Sequence, residues 1–193
     1  MIEKTEKNRK KIVFVTGNNG KFVEVRAILA SRGIEVLQNK EGYPELQEEE
    51  LEPIAASGAS FVAEKLRLPA IVDDSGLFIK ALKGFPGPYS RFVEDKLGNQ
   101  KVLQLMENEE DRAAYFKTVI SYCEPGKKPL LFSGLVEGKI AFEERGTGGF
   151  GYDPIFEYEG KTFGELRDEI KNTLSHRRRA IDKFLEWFDS QID

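Results

Sequence analysis

Thr16-Gly17-Asn18-Asn19-Gly20-Lys21 lies between the apolar run Ile12-Val13-Phe14-Val15 and a stretch in which Phe22, Val25, Ile28 and Leu29 recur at helical spacing. Strand, small-residue turn and helix in that order predict the opening unit of an α/β fold, with a turn shaped to hold phosphate. Small residues let backbone amides approach an anion. The following helix brings unpaired N–H groups and the positive end of its dipole, and Lys21 adds a full charge. The hexapeptide is not a Walker loop. That motif has four residues between Gly and Gly-Lys and a Ser or Thr after the Lys, whereas Asn18 and Asn19 alone separate Gly17 from Gly20, and Phe22 follows Lys21. A tight βα connection that uses Asn and Gly only for backbone freedom would read the same way, so the rest of the chain must decide.

Working outward, a strand is expected over 11–16, a helix from Phe22 to a stop at Gly33, and a second strand over 34–38. An acid-rich connection over 39–50 leads to a helix face of Ala55, Ala59, Val62 and Leu66, which Pro69 ends. Ala70-Ile71-Val72 then rises into Asp73-Asp74-Ser75-Gly76, which reads as two carboxylates where a short strand meets a turn. Ligands of open α/β sheets collect beyond the carboxyl ends of strands, and both the small-residue turn and the acid pair occupy such ends on this reading. Gly84-Phe85-Pro86-Gly87-Pro88 reads as a stiff loop. Helical patterning follows over 89–106, then two strands over 113–123 and 130–137 about Pro125-Gly126, which could form a hairpin. A helix capped by Ser175 and burying Ile181, Phe184, Leu185 and Phe188 closes the chain. The expected class is α/β: a mixed twisted sheet flanked by helices, parallel at first and antiparallel later. Residues 1–11 read as a polar tail and 12–193 as a single domain.

The 193 residues, 40% hydrophobic and 11% aromatic, suffice for a packed core. A net charge of −4 argues against general affinity for a nucleic-acid backbone, so an anionic ligand needs a local basic site. Cys123 stands alone, which excludes an intrachain disulfide and a cysteine-rich zinc site and is compatible with a reducing cytosol. No apolar run approaches membrane-spanning length. These features lead us to expect a soluble, cytoplasmic protein that binds neither nucleic acid nor membrane.

Glu45, Asp73 and Asp74 are the candidates for hard-metal and proton-transfer chemistry, because Mg²⁺ takes few carboxylates and leaves room for phosphates and water. An Asp-Asp pair is ordinarily a solvated turn; the apolar strand before this one argues otherwise. Gly146-Thr147-Gly148-Gly149-Phe150-Gly151 has the letters of a dinucleotide fingerprint, but Tyr152-Asp153-Pro154 follows where a helix must begin, which rules that reading out. The segment instead suits a loop offering Phe150 to stack on a base and Asp153 to hydrogen-bond it, with a plain turn carrying core aromatics as the alternative. Lys171, His176, Arg177 and Arg178 gather near a helix start, where a basic group can meet an anion or carbonyl oxygen. His176 standing alone would be an exposed helix-start residue. Lys80, Lys83, Arg91 and the acids of 48–50 read as solvated decoration.

Taken together, the turn 16–21, Tyr43-Pro44-Glu45, Asp73-Asp74-Ser75-Gly76, Gly84-Phe85-Pro86-Gly87-Pro88-Tyr89-Ser90, Gly148-Gly149-Phe150-Gly151-Tyr152-Asp153-Pro154 and Ser175-His176-Arg177 resemble the inosine triphosphate pyrophosphatase (Ham1-like) family, in the family's order and from about Ile12 to Phe188. The chain departs from it at Ile170, where the family often carries Glu before the lysine. The resemblance implies two lobes around a central nucleotide cleft, a homodimer, Mg²⁺, and cleavage of ITP, dITP and XTP to the nucleoside monophosphate and pyrophosphate. It implies that Thr16, Gly17, Asn18, Asn19, Gly20 and Lys21 hold the triphosphate. Glu45 and Asp74 would ligate metal, and Asp74 or its neighbour Asp73 would activate water. Base selection would fall to Phe150, Gly151, Tyr152, Asp153, Lys171, His176 and Arg177, with Ser75 near the phosphates or sugar. A guanidinium or imidazolium would donate to the 6-oxo group, a contact that an adenine amino group cannot make. A Maf-like pyrophosphatase for pyrimidine or modified triphosphates, or a nucleotide sensor without turnover, are the alternatives.

Overall fold

A computed structural model describes residues 11–191. Residues 1–10 of the expected tail lie outside the described residues, and Lys11 already belongs to the first strand. The strand-turn-helix unit is present. β1 (Lys11–Val15) leads into α1 (Asn19–Ala30), which starts before Phe22 because the Asn18 side chain caps it, accepting from the Lys21 N–H at 3.1 Å. β2 (Glu35–Asn39), α2 (Leu51–Leu66) and β3 (Ala70–Ile79) follow, then β4 (Pro86–Gly87) and α3 (Ser90–Leu105). The long strands β5 (Ala113–Cys123) and β6 (Leu130–Ile140) form the expected antiparallel pair. Short β7 (Phe156–Tyr158) and β8 (Lys161–Thr162), α4 (Asp168–Leu174) and α5 (His176–Asp189) complete the chain.

The eight strands form one mixed sheet in the order β2-β1-β3-β5-β6-β7-β8, with β4 on β3. β1 runs parallel to β2 and β3, and every later pairing is antiparallel, as the sequence suggested. On one face α1 and α5 bury Val25, Leu29, Ile181, Phe184 and Phe188 against Ile12, Phe14, Ile71 and Ile120. Each such large side chain contributes ~1.5–3 kcal/mol on full burial, which is why α5, polar on its outer side, stays docked. α2 covers Val13, Val15 and Val72 on the other face, and α3 packs over Leu77, Ile79 and Phe116 at the antiparallel end.

The acid pair is not at a turn. β3 runs unbroken through Asp73, Asp74, Ser75 and Gly76, because β5 pairs with it from Ala70 to Ile79. Only its other edge changes partner. β1 pairs with β3 as far as Val72, β4 pairs with it from Leu77, and residues 73–76 between them carry no strand on that side among the described residues. The sheet opens where its parallel and antiparallel parts meet, and the carboxylates line the opening.

Candidate active site

Two cavities meet at this opening. The larger, of about 670 Å³, is lined by Thr16, Gly17, Asn18, Asn19, Gly20, Lys21, Tyr43, Glu45, Asp73, Asp74 and Ser75. The smaller, of about 90 Å³, is lined by Phe150, Gly151, Tyr152, Asp153, Lys171, His176 and Arg177 together with Glu94 and Phe116. Asn18, Lys21, Ser75, Arg91 and Phe150 border both. Every residue singled out in the six motifs as a site candidate therefore reaches one connected space. Arg91, expected as plain surface, stands at its mouth.

In the turn, Asn18 N–H donates to Thr16 Oγ1 at 3.1 Å, and Asn18 caps the helix. The amides of Asn19 and Gly20 begin α1 and by helix geometry have no intrahelical acceptor. Gly20 allows a close approach: a Cβ there would meet the Phe150 ring at 3.1–3.2 Å, so the ring would have to give way. The phosphate-type turn and the Phe150 loop thus touch directly.

Alternation along β3 turns Asp73 and Asp74 to opposite faces. The Asp73 carboxylate is wholly buried and saturated: Lys21 Nζ donates to Oδ1 at 2.6 Å and Arg177 Nε to Oδ2 at 2.5 Å. Burial alone would raise its pKa, but the Arg177 and Lys21 charges outweigh burial and hold it well below the usual carboxylate range. Asp74 is the reverse. Burial, with the charges of Asp73 and Glu45 added, overcomes Lys21 and pushes its pKa up to about 7. Its Oδ2 is buried without a hydrogen-bond partner among the described residues. Tyr43, packed over Gly58, has its hydroxyl pKa raised by burial and then by Asp74, Glu45 and Asp73, so a neutral phenol borders the acidic side.

An orphaned oxygen on a carboxylate of raised pKa, beside a second carboxylate, fits a hard divalent cation. No group of three or more His, Cys, Asp or Glu among the described residues forms a metal cage. Mg²⁺ is commonly held by one or two carboxylates plus phosphate oxygens, a number that Asp74 and Glu45 can supply.

Ser175 ends α4 and caps α5; its hydroxyl accepts from the Arg178 N–H at 3.0 Å and donates to Glu24 at 2.8 Å. Glu24, buried on α1, also accepts from Arg177 Nη1 at 2.8 Å. Sequence reading missed Glu24, which stands between Val23 and Val25 like any helix-surface acid; its spacing one turn after the capped start is the only local hint. Burial opposes the Arg177 charge, but Asp73 and Glu24 overcome it and hold the guanidinium protonated.

His176 is buried rather than exposed. Its ring lies parallel to Phe116, 4.7 Å between centroids, and burial first, then the Arg177 charge, push its pKa well below the ordinary value. The ring is neutral at pH 7, so Arg177 and Lys171 are the cations that can meet a carbonyl oxygen, not an imidazolium. Lys171 is buried against Asp153 and lies 4.5 Å from the centre of the half-exposed Phe150 ring. Asp153 also accepts from the Phe150 N–H at 2.6 Å, and the left-handed Gly149 (φ +70°) packs on its carboxylate. Its Oδ2 therefore shapes the loop. Tyr152 forms wall and core, with its hydroxyl donating to the Ser90 carbonyl at 2.8 Å.

Residues 12–187 match the model of the Ham1 family. The chain is 77% identical over 178 residues to a dITP/XTP pyrophosphatase of Methanosarcina mazei, covering 92% of this chain and 97% of that one. It is 41% identical over 180 residues to an inosine triphosphate pyrophosphatase of Tuber melanosporum, covering 93% and 97%. A solved Ham1 protein from Coxiella burnetii superimposes with a TM-score of 0.84 at 34% identity, over 94% of this chain and 99% of that one.

Proposed function

The chain belongs to the Ham1 family, and from that premise we propose that it hydrolyses the non-standard purine nucleoside triphosphates ITP, dITP and XTP to the monophosphate and pyrophosphate, so clearing them from the nucleotide pool. The observation that carries the reading is the division of labour at the acid pair. Asp73 is spent on Lys21 and Arg177, while Asp74 keeps a buried, unpartnered oxygen and a pKa near neutrality. Asp74 is therefore the general base, and Asp73 a positioning residue.

In this mechanism the turn 16–21 receives the β- and γ-phosphates on the α1 amides and Lys21. Glu45 and Asp74 would hold Mg²⁺, which when bound supplies positive charge to the phosphate oxygens and acidifies water. Asp74 takes a proton from the attacking water; the water oxygen bonds to the α-phosphorus, the α–β phosphoanhydride bond breaks, and pyrophosphate leaves. Lys21, fixed by Asp73, lies where charge grows on that leaving group. Phe150 stacks on the base, and Arg177 and Lys171 donate to its oxygen-bearing edge. The family resemblance further supports a cytoplasmic homodimer and residues 12–193 as one domain, for which light scattering on the purified protein is the check of assembly.

The test is incubation of purified protein with Mg²⁺ and ITP, XTP, GTP, ATP, dUTP or dTTP, assaying both pyrophosphate and orthophosphate. Pyrophosphate released chiefly from ITP and XTP is expected. Preferred turnover of pyrimidine triphosphates would favour a Maf-like activity, and tight binding without product a sensor.

A further inference from the structure

Glu94 enters the smaller cavity from α3, and neither the sequence motifs nor the mechanism uses it. A Cβ built on Gly151, the residue after the stacking Phe150, would lie 3.5 Å from Glu94 Oε2, so the carboxylate packs against the loop that presents Phe150. Its side chain is 28% exposed, and its nearest cationic atom, Arg91 Nη1, is 3.7 Å away. Arg91 is itself engaged by Asp95 at 2.9–3.0 Å. No hydrogen bond reaches either Glu94 oxygen among the described residues. The other acid in this cavity, Asp153, is committed through its Oδ2 to Lys171 and the Phe150 amide.

A half-buried carboxylate with open lone pairs wants a donor. The charged groups around it that are aimed at a base, Lys171 and Arg177, offer only donors themselves. Together they present a donor–acceptor pair. A 6-oxo purine carries the complement on adjacent atoms, an accepting O6 and a donating N1–H. Adenine carries the opposite, a donating 6-amino group and an accepting N1, which would put a ring lone pair against the carboxylate.

We propose that Glu94 is a specificity residue that accepts a hydrogen bond from the N1–H of the 6-oxo purine, completing with Arg177 and Lys171 a two-point reading of the base. This rests on the nucleotide reading above. Attraction to one edge pattern and repulsion of the other act together, which is how a polar site sorts near-isosteric ligands. Guanine also has N1–H, so Glu94 sorts 6-oxo from 6-amino purines and leaves GTP to be excluded at C2.

The experiment compares kcat/KM on ITP and on N1-methyl-ITP for the wild type, Glu94→Gln and Glu94→Ala. A hydrogen bond to a charged group sets the expected scale at about 10- to 100-fold. The wild type should lose that much on methylation. Glu94→Ala should lose a similar factor on ITP and show almost no further penalty on N1-methyl-ITP. Glu94→Gln, which can still accept through its amide oxygen, should keep ITP turnover within about tenfold of wild type. The ITP to N1-methyl-ITP ratio is internal to each variant, so a reduced folded fraction cancels. An equal methylation penalty in the wild type and Glu94→Ala, or none in the wild type, overturns the proposal. Failure of the wild type to release pyrophosphate from ITP at all overturns the parent reading and this one with it, a result distinct from the first two.

Discussion

Asp73 and Asp74 are neighbours with the same side chain, yet the two sides of the sheet they face are electrostatic opposites. On the α1 and α5 side, Asp73 meets Lys21 and Arg177, Arg177 meets Glu24, and Glu24 meets Ser175, so every charge is answered. On the other side, Asp74 shares its surroundings with Glu45 and the Tyr43 hydroxyl, and one of its oxygens is answered by nothing among the described residues. The first side is finished by folding. The second is left open by folding, as the proposed metal and substrate site requires. A period of two along one strand is sufficient to separate a structural acid from a reactive one.

This contrast can be attacked from either side. The largest effect is expected for Asp74→Asn, which should lower turnover about 10²- to 10⁴-fold, the usual worth of a general base. A steady-state rate near that of the wild type would take Asp74 out of the mechanism. Asp73→Asn should strike stability instead, costing about 3–5 kcal/mol because it takes the buried countercharge from Arg177 and the partly buried Lys21; urea denaturation at neutral pH reads this, and a loss under about 1 kcal/mol would mean the network is not held by Asp73.

The pH response comes next. Asp74 has a folded pKa raised to about 7, so between its unfolded value and 7 the folded state holds the extra proton, and stability falls as pH rises through that window. The loss should approach ~4 kcal/mol by pH 8 without metal. Thermal melts should show that slope in the wild type, its absence in Asp74→Asn, and its reversal by Mg²⁺ only in the wild type. A flat profile would contradict the raised pKa. The smallest effect is expected for Ser175→Ala, which removes the α5 cap and one ligand of Glu24 and should cost about 1 kcal/mol, visible as a modest shift of the denaturation midpoint with no change in base preference.

Much of this was written locally. The turn 16–21, the strands over 113–123 and 130–137, and the amphipathic last helix are set by contacts between near neighbours in sequence, and their signals survive in a one-dimensional reading. The loops that the resemblance grouped also border the two adjoining cavities. What escaped depends on distant partners. Asp73-Asp74 reads as a turn because two acids rarely continue a strand, and what keeps them in β3 is β5, which arrives some forty residues later. Glu24 is an ordinary helix acid until Arg177 docks on it. His176 looks exposed at a helix start until Phe116 supplies a ring to lie against. Glu94 sits in a helix of weak amphipathic pattern that breaks at Gly98, and only Gly151 across the cavity reveals where it points.

β3 contributes Ile71 to one buried cluster, Val72 to a second and Leu77 to the third, and β5 likewise contributes Ile120, Val119 and Phe116. The acid pair thus sits on the most shared stretch of the molecule, between the segments that no partial opening can release separately. The β3 amides bonded to β5 should exchange with solvent mainly through whole-molecule unfolding, while those of the Phe150 loop should exchange sooner, by local fluctuation. Heating would then disturb base selection before it dislodged the acids, and the enzyme would grow careless about its substrate before it stopped working.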